Sequence, residues 1–393
     1  MNEIEKIKKS GLCLGCGLCE AIATKKKCSM EINSKGFYEP VFKEPLNKEE
    51  TSTILNCCPG INVEGDNIST VWGRIDELSE AWATDPLVRN RASSGGVITA
   101  LSIYLLESNI VEGILQVGVK ENSSLLNQLK VSKTREEVIS NCASRYAPAL
   151  VFDKLFDLLN KSKDNYAFIG KPCDIAGLKN FLKEFPEYKS RFKYFIALFC
   201  AGMPSYRGTK KILERSGYDD EPIDIKYRGD GWPGMFKATY QDKPPFKMTY
   251  NESWSTILSK YMDLRCKICA DGIGMLADIS VGDSWQTKDG YPDFEEKDGK
   301  SFVIMRNNEG KKLFYGALKS GYITSSNLDI DKIVEMQRYQ YNRRLNVGYR
   351  LIPVLLKTKF LIKFKGLGIV KMMMKANFKS GIFNMIGTIK RLL

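Results

Sequence analysis

Three cysteines fall within seven residues, Cys13-x-x-Cys16-x-x-Cys19, in a stretch punctuated by Gly11, Gly15 and Gly17. No other feature of the chain restricts the backbone so tightly. Three thiolates at this spacing wrap one corner of an iron–sulfur cubane, and the glycines let the backbone close around the inorganic sulfides. The Cys-Pro that usually completes such a run does not follow at once. It occurs at Cys58-Pro59, which makes Cys58 the expected fourth ligand, with Cys28 and Cys57 as alternatives. A structural zinc knuckle is the competing assignment, but zinc sites pair their ligands as two short Cys hooks.

Composition narrows the chemistry. The 393 residues include 11 Cys and no His. Without His there is no Ser-His-Asp triad, Cys-His pair, HExxH zinc site or His-ligated haem. Proton transfer falls to Lys, Tyr, Asp, Glu, Cys or a cofactor. The N-terminus has no signal-peptide pattern and no apolar run reaches about 18 residues, so a cytoplasmic protein without a transmembrane helix is expected. Thiols there stay reduced, and so many of them point to metal or redox chemistry rather than disulfides. The net charge of +13 is uneven: thirteen Lys and Arg and no acidic residue follow Glu335, which leaves residues 1–335 formally neutral.

Residues 1–71 are rich in Cys and turn signals, 72–92 have the character of a connector, and 93–325 alternate short apolar runs with helical periodicity. Helices are expected from Ser93-Ser94-Gly95-Gly96 to about Leu106, over Ala147–Leu159, from Lys171-Pro172 to about Phe185, over Thr209–Ser216 and over Glu309–Ser320. Strands are expected at Ile114–Val119, Tyr166–Gly170, Tyr194–Phe199 and Ser301–Arg306, with a small antiparallel insertion near 222–252. The fold class is α/β (α+β). Three segments are expected: 1–71, a core over 72–330, and a tail over 331–393.

A second group of cysteines follows from this layout. Cys266-x-x-Cys269 alone is compatible with a zinc hook or a redox dithiol. Cys173 follows one expected strand and Cys200 ends another, and strand ends are where α/β sheets place ligand sites. Four thiols from three segments can close a second cluster; equally, Cys173 and Cys200 can serve as small buried apolar residues.

Four motifs in one order carry a resemblance: Cys13/Cys16/Cys19, Ser93-Ser94-Gly95-Gly96, Gly170-Lys171-Pro172-Cys173, and Cys266-x-x-Cys269 leading to Ala277-Asp-Ile-Ser-Val-Gly-Asp283. Over residues 10–340 the chain resembles the coenzyme F420 hydrogenase/dehydrogenase beta-subunit family, which is related to 7-hydroxymethyl chlorophyll a reductase. The resemblance implies a flavin-binding core holding FAD beside a [4Fe–4S] cluster on Cys173, Cys200, Cys266 and Cys269, and a ferredoxin-like N-terminal segment with a second [4Fe–4S] cluster. It implies a flavin-lining role for Ser144, Arg145 and Tyr146 and for Gly170, Lys171 and Pro172. Lys171 departs from the family, which commonly has Thr there. On physical grounds Ser93, Ser94, Gly95 and Gly96 offer a helix N-terminus to a pyrophosphate, and Arg89 and Arg91 lie just upstream. The alternatives are an ordinary helix cap and solvated arginines. Asp278 and Asp283 are either loop-orienting groups or strand-end turns.

The activity so implied is an FAD- and [4Fe–4S]-dependent oxidoreductase. It passes electrons between a ferredoxin-like carrier or coenzyme F420 and a small organic substrate, in the branch associated with bacterial surface polysaccharides. A non-catalytic electron-relay subunit is the alternative. The tail after Pro353 mixes apolar residues with Lys, at Phe360-Leu-Ile-Lys-Phe-Lys365 and Val370-Lys-Met-Met-Met-Lys375. This basic amphipathic pattern, over residues 350–393, suits an anionic membrane surface at the inner face of the membrane or a partner subunit. Nucleic acid is not expected, since no aromatic stacking platform accompanies the charge.

Overall fold

The computed structural model describes every residue except Met1, Asn2, Ser69, Asp289 and Phe360. The chain opens with α1 (Glu3–Lys9) and α2 (Leu18–Lys27), then the hairpin β1 (Cys28–Ile32) and β2 (Tyr38–Phe42), then α3 (Lys48–Cys57) and β3 (Asn62–Glu64). Asn47 and Glu50 start α3 with a reciprocal capping box. Gly15 and Gly17 take φ of +64° and +94°, and a Cβ there would stand 2.6 Å from Tyr38 O and from Asp153 N respectively. The Cys run is thereby pressed against both the hairpin and the following core.

That core contains β4 (Glu77–Ala83), α4 (Pro86–Arg91), α5 (Val97–Glu107), β5 (Gly113–Val119), β6 (Asn127–Ser132), α6 (Arg135–Ser140), β7 (Ala149–Leu150) and α7 (Leu155–Lys161). It continues through β8 (Tyr166–Gly170), α8 (Pro172–Glu184), β9 (Phe192–Leu198) and α9 (Tyr206–Leu213). The expected insertion is a three-stranded antiparallel sheet of β10 (Asp224–Lys226), β11 (Met235–Thr239) and β12 (Phe246–Thr249). After the short α10 (Leu264–Lys267) come β13 (Ile279–Asp283), the small ladder β14 (Thr287–Lys288) and β15 (Tyr291–Pro292), β16 (Ser301–Met305), α11 (Asn308–Lys319) and β17 (Ile323–Ser326).

Nine strands form one mixed sheet in the order β17-β4-β16-β13-β9-β8-β5-β6-β7. β5, β8, β9 and β13 run parallel at its centre. Parallel strands are covered on both faces, which is why Tyr166–Gly170 is a continuous buried run. Leu101 and Phe314, from α5 and α11, pack on one face with Ile196 and Ile279. Leu155 and Leu178, from α7 and α8, pack on the other with Phe168 and Ala197. The carboxyl ends of β8, β9 and β13 deliver Lys171–Cys173, Phe199–Cys200 and Asp283 to one edge.

Three expectations are corrected. Residues 72–92 are more than a connector: β4 sits inside the sheet between β16 and β17, strands that arrive much later in sequence, with Ala81 and Ala83 buried on one face. The helix expected over Ala147–Leu159 starts only at Leu155, because Ala149 and Leu150 pair with β6. The tail is not one basic helical appendage. After α12 (Ile330–Met336), α13 (Arg338–Thr358) continues through Pro353 and buries Arg343, Arg344, Val347 and Leu351; β18 (Lys363–Lys365) then pairs in parallel with β3; α14 (Ile369–Lys375) and α15 (Phe378–Leu392) finish the chain. Phe360, in the middle of the expected basic run, lies outside the described residues. Ile7, Leu12 and Val63 share one apolar cluster with Phe302 of β16 and Val347 of α13, so the three expected segments are packed on one another.

Candidate functional site

The first thiol group is gathered by three separate turns. The loop before α2 carries Cys13 and Cys16, α2 carries Cys19, and the turn after α3 carries Cys58. Burial pushes the Cys13 thiol up to about 12 and Cys16 and Cys19 well above their ordinary value, with Cys58 close enough to add to each. Working against burial, backbone N–H groups point at sulfur: Gly15 at Cys13, Leu18 at Cys16, and Gly60 and Ile61 at Cys58. Such donors favour a charged sulfur ligand over a neutral thiol. The alternatives are set apart: Cys28 is buried with Ile4, Ala23 and Ile54, and Cys57 with Phe152 and Phe181.

The second group surrounds a small, partly enclosed cavity lined by Cys173, Cys200, Cys266 and Cys269, with Cys16 of the first group in the same wall. Cys173 begins α8, Cys200 follows β9, and Cys266 lies in α10, whose start is capped by the Asp263 carboxylate. Burial raises the thiols of Cys173, Cys200 and Cys266, and Met203 N–H points at Cys266. Asp271 accepts the N–H groups of Ile273 and Met275 and so holds the turn after Cys269. Among the described residues no three Cys, Asp or Glu side chains converge as a single ion would require. The cavity, the all-thiol donor set and the amides aimed at sulfur fit a cubane, which carries its thiolates on outer corners, better than one zinc ion.

Lys171, singled out as a departure, does stand beside these thiols. It is not a lone cation, because its Nζ lies 2.6 Å from Asp174 Oδ2, with the Lys171 side chain partly buried and Asp174 buried. Burial opposes the Lys171 charge, but Asp174, Cys173 and Cys200 outweigh it and hold the ammonium protonated. Asp174 is also close enough to Cys16 to raise it, so the pair sits at the junction of the two groups.

Sequence reasoning missed the arginines of the wall. Arg265 donates from Nε to Gly60 O at 2.7 Å and from Nη2 to Pro59 O at 2.9 Å, clipping the Cys266 segment to the Cys58 turn. Arg343 reaches in from α13 and donates to Cys200 O at 2.8 Å and Ala201 O at 3.3 Å, while its buried Nε has no protein partner among the described residues. Burial works against its charge, but Cys269, Tyr339, Cys200 and Cys266 more than compensate. Arg344 holds Val71 O, Ala270 O and Leu367 O, and Arg306 holds Trp72 O, Arg74 O and Ile273 O; burial lowers each to about 10. The signal for Arg265 was its place next to Cys266. Nothing in the local sequence separated Arg343 from the surface charge of the tail.

The residues expected to line a flavin also meet, with a different division of labour. Ser144 N donates to Ser93 Oγ at 2.5 Å, which joins two of the expected segments. Gly95 N–H, however, is taken by Ser301 Oγ at 3.0 Å, and a Cβ there would stand 2.8 Å from Ser301 N, so this glycine serves sheet packing. Ser94 Oγ bonds Ser301 Oγ at 2.8 Å, and Gly96 caps α5 with φ +75°. Arg145 spends its guanidinium on Asn127 Oδ1, Ser124 O and Ile225 O, and Arg89 on Gly299 O and Asp298. Gly95 N–H and the Arg145 guanidinium are thus already engaged within the protein, while Arg89 commits its Nε to the backbone and its Nη1 only to a 3.7 Å pairing with the exposed Asp298. Arg91 is exposed, with no side-chain hydrogen bond among the described residues. Tyr146 packs on Trp254 at 4.7 Å and accepts a bond from the buried Arg228, which pairs with Asp283 through both carboxylate oxygens at 3.0 and 3.1 Å. Asp283 is thus an ion-pair partner, and Asp278 accepts Phe195 N–H and Asn307 Nδ2. Gly170 and Pro172 lie at the β8–α8 turn; a Cβ on Gly170 would meet Phe168 at 2.7 Å.

Comparison with known proteins places this arrangement. Residues 78–155 match the family described as coenzyme F420 hydrogenase/dehydrogenase, beta subunit N-term, and residues 163–331 match the family described as the C terminus of that beta subunit. An uncharacterized protein of Methanocaldococcus jannaschii is 24% identical over 86% of this chain and 96% of its own length. A coenzyme F420 hydrogenase subunit beta of Methanococcus voltae is 26% identical over 66% of this chain and 86% of that protein. A coenzyme F420-dependent sulfite reductase of M. jannaschii is 24% identical over 87% of this chain, which spans only 51% of that protein. Among solved structures, a chain of the F420-reducing [NiFe] hydrogenase complex from Methanosarcina barkeri shares the fold, with a TM-score of 0.54 and 19% identity over 73% of this chain and 94% of that one. The chain belongs to the coenzyme F420 hydrogenase/dehydrogenase beta-subunit family.

Proposed function

We propose that the protein is an iron–sulfur flavoprotein oxidoreductase passing electrons between coenzyme F420 or a ferredoxin-like carrier and an organic substrate, with two [4Fe–4S] clusters and FAD. The observation that carries it is the cavity walled by Cys173, Cys200, Cys266 and Cys269 with Cys16 at its margin. Relatives named as F420-dependent hydrogenase, formate dehydrogenase and sulfite reductase proteins support the redox class. When bound, such clusters move single electrons and a flavin exchanges them for two-electron equivalents.

This chain's residues have distinct tasks in that scheme. Cys13, Cys16, Cys19 and Cys58 hold one cluster, and Cys173, Cys200, Cys266 and Cys269 the other. Arg265 fixes the distance between the two sets by tying the Cys266 segment to Pro59 and Gly60. The Lys171–Asp174 pair places a balanced dipole between them. Ser93, Ser144, Tyr146 and Arg91 form the surface offered to the flavin, and Arg91 supplies the uncommitted cation for its phosphates. Turnover by the isolated protein separates an enzyme from an electron-relay subunit.

Anaerobic purification tests the reading. About eight irons per chain and a flavin spectrum are expected, and Cys266→Ser with Cys269→Ser removes about half the iron. A colourless protein, or unchanged iron in that variant, overturns it.

A further inference from the structure

The last helix is built inside out. α15 turns its small and polar residues toward the protein: Gly381 and Thr388 are buried, Ser380 Oγ donates to Asn346 Oδ1 at 3.3 Å, and Asn384 Oδ1 accepts from Arg350 Nε at 2.8 Å. Gly381 packs so closely that a Cβ would stand 2.5 Å from the Tyr349 ring. The large apolar residues face outward: Phe378 is 69% exposed, Phe383 79%, Ile386 45% and Ile389 39%. On helical periodicity these four share one face, opposite Gly381, Asn384 and Thr388. A helix that merely covers a core does the reverse. Neighbouring α14 continues the surface with Val370 at 67% and Met374 at 80% exposure.

The charge on this surface is of one sign. Lys371, Lys375, Lys379, Lys390 and Arg391 are all exposed, and no acidic residue follows Glu335. Lys379 and Lys390 fall on the apolar side of α15. No described helix is long and apolar enough to cross a membrane. Apolar side chains set among cations, on helices too short and too charged to insert across a bilayer, match the interface of an anionic membrane, where the rings enter the acyl boundary and the ammonium groups meet lipid phosphates.

We propose that α14 and α15 dock the protein on an anionic lipid surface, with Phe378, Phe383, Ile386 and Met374 entering the bilayer. Arg343 and Arg344 of α13 take no part, being turned inward. This is independent of the redox reading, since it uses no residue of the cysteine cavity.

The test is sedimentation of the intact protein with phosphatidylcholine vesicles, with and without about one third phosphatidylglycerol. Binding is expected to the anionic vesicles, at least about tenfold weaker to the neutral ones, and reduced at least about tenfold by Phe383→Asp with Ile386→Asp. Those side chains are exposed, so iron content and circular dichroism stay unchanged. Lys375→Glu with Lys379→Glu is a second variant that leaves the apolar face intact and also weakens binding. Three outcomes overturn the proposal: no binding to anionic vesicles, equal binding by wild type and variants, or a lipid-free dimer that Phe383→Asp with Ile386→Asp turns into monomers. The last would make this face an interface between copies of the chain.

Discussion

A single methyl group at Gly272 tests how the C-terminal helix supports the cavity. A Cβ on Gly272 would stand 1.2 Å from Arg343 Nη2 and 2.4 Å from its Cζ, so Gly272→Ala must drive the guanidinium out of its place. Gly272 carries no left-handed backbone, and the substitution has no other strain to release. The displaced Arg343 gives up its bonds to Cys200 O and Ala201 O and to the Gln340 side chain. Hydrogen bonds to a charged donor contribute about 1.5–3 kcal/mol each, but Arg343 has no carboxylate partner in its buried seat, so desolvation of the cation offsets more than half of their total and the net loss is about 3 kcal/mol. The assay is anaerobic urea denaturation of a double-mutant cycle: wild type, Gly272→Ala, Arg343→Ala and both together. In the Arg343→Ala background, Gly272→Ala costs less than about 1 kcal/mol, because only Gln340 Oε1, 2.8 Å from the new Cβ and at the end of a flexible side chain, is left to move aside. Equal cost in the two backgrounds would refute the clash and with it the seat assigned to Arg343.

Other outcomes follow from the same wall. If the proposed clusters are present, Arg343→Gln lowers the midpoint potential of the one assigned to Cys200 and Cys269 and leaves the other nearly unchanged, since a cation stabilises the reduced form; redox titration followed by electron paramagnetic resonance reads it, and equal shifts in both would contradict the placement. Lys171→Met strands the buried Asp174 carboxylate and destabilises the fold by about 3–5 kcal/mol, whereas Lys171→Met with Asp174→Asn recovers most of that loss in urea denaturation. Glu80 is pushed up by burial, but bonds from Lys300, Ser284 and Ser326 pull its carboxyl below its ordinary value. A carboxylate lowered by folding stabilises above the ordinary carboxylate range and loses that contribution as pH falls through its folded value. Glu80→Gln therefore lowers Tm at pH 7, and the gap to wild type closes on acidification below the ordinary carboxylate range; a gap independent of pH would rule this out.

Much of the site was legible because thiol spacing and strand ends are local signals. Cys13, Cys16 and Cys19 stand out by spacing alone, whereas Cys173 and Cys200, at the ends of expected strands, were joined to Cys266 and Cys269 only by the family resemblance. The central parallel strands were visible for the same reason. What escaped depends on partners far away in sequence. β4 reads as a connector until β16 and β17 arrive on its two sides. Gly95 has the look of a phosphate loop until Ser301, 206 residues later, takes its N–H. Arg343 and Arg344 were counted only among the thirteen basic residues after Glu335, because nothing around them in the chain announces that their partners are the backbone carbonyls of Cys200, Ala201, Ala270, Val71 and Leu367.

The parallel pairing of β18 with β3 bears on the order in which the molecule can be assembled. A ribosome delivers Cys13, Cys16, Cys19 and Cys58 early, but the strand beside the Cys58 turn, and the helix that closes over Cys200, are made only after every strand of the large sheet. Until then the early thiols stand beside an unfinished wall, open to oxidants and to stray metal ions. Metal loading of the proposed site in its complete form would therefore have to wait until α13 and β18 have been made. A premature stop anywhere between Cys269 and Arg343 leaves every one of the eight cysteines in place, yet removes the guanidinium at the cavity wall and the closing strand together.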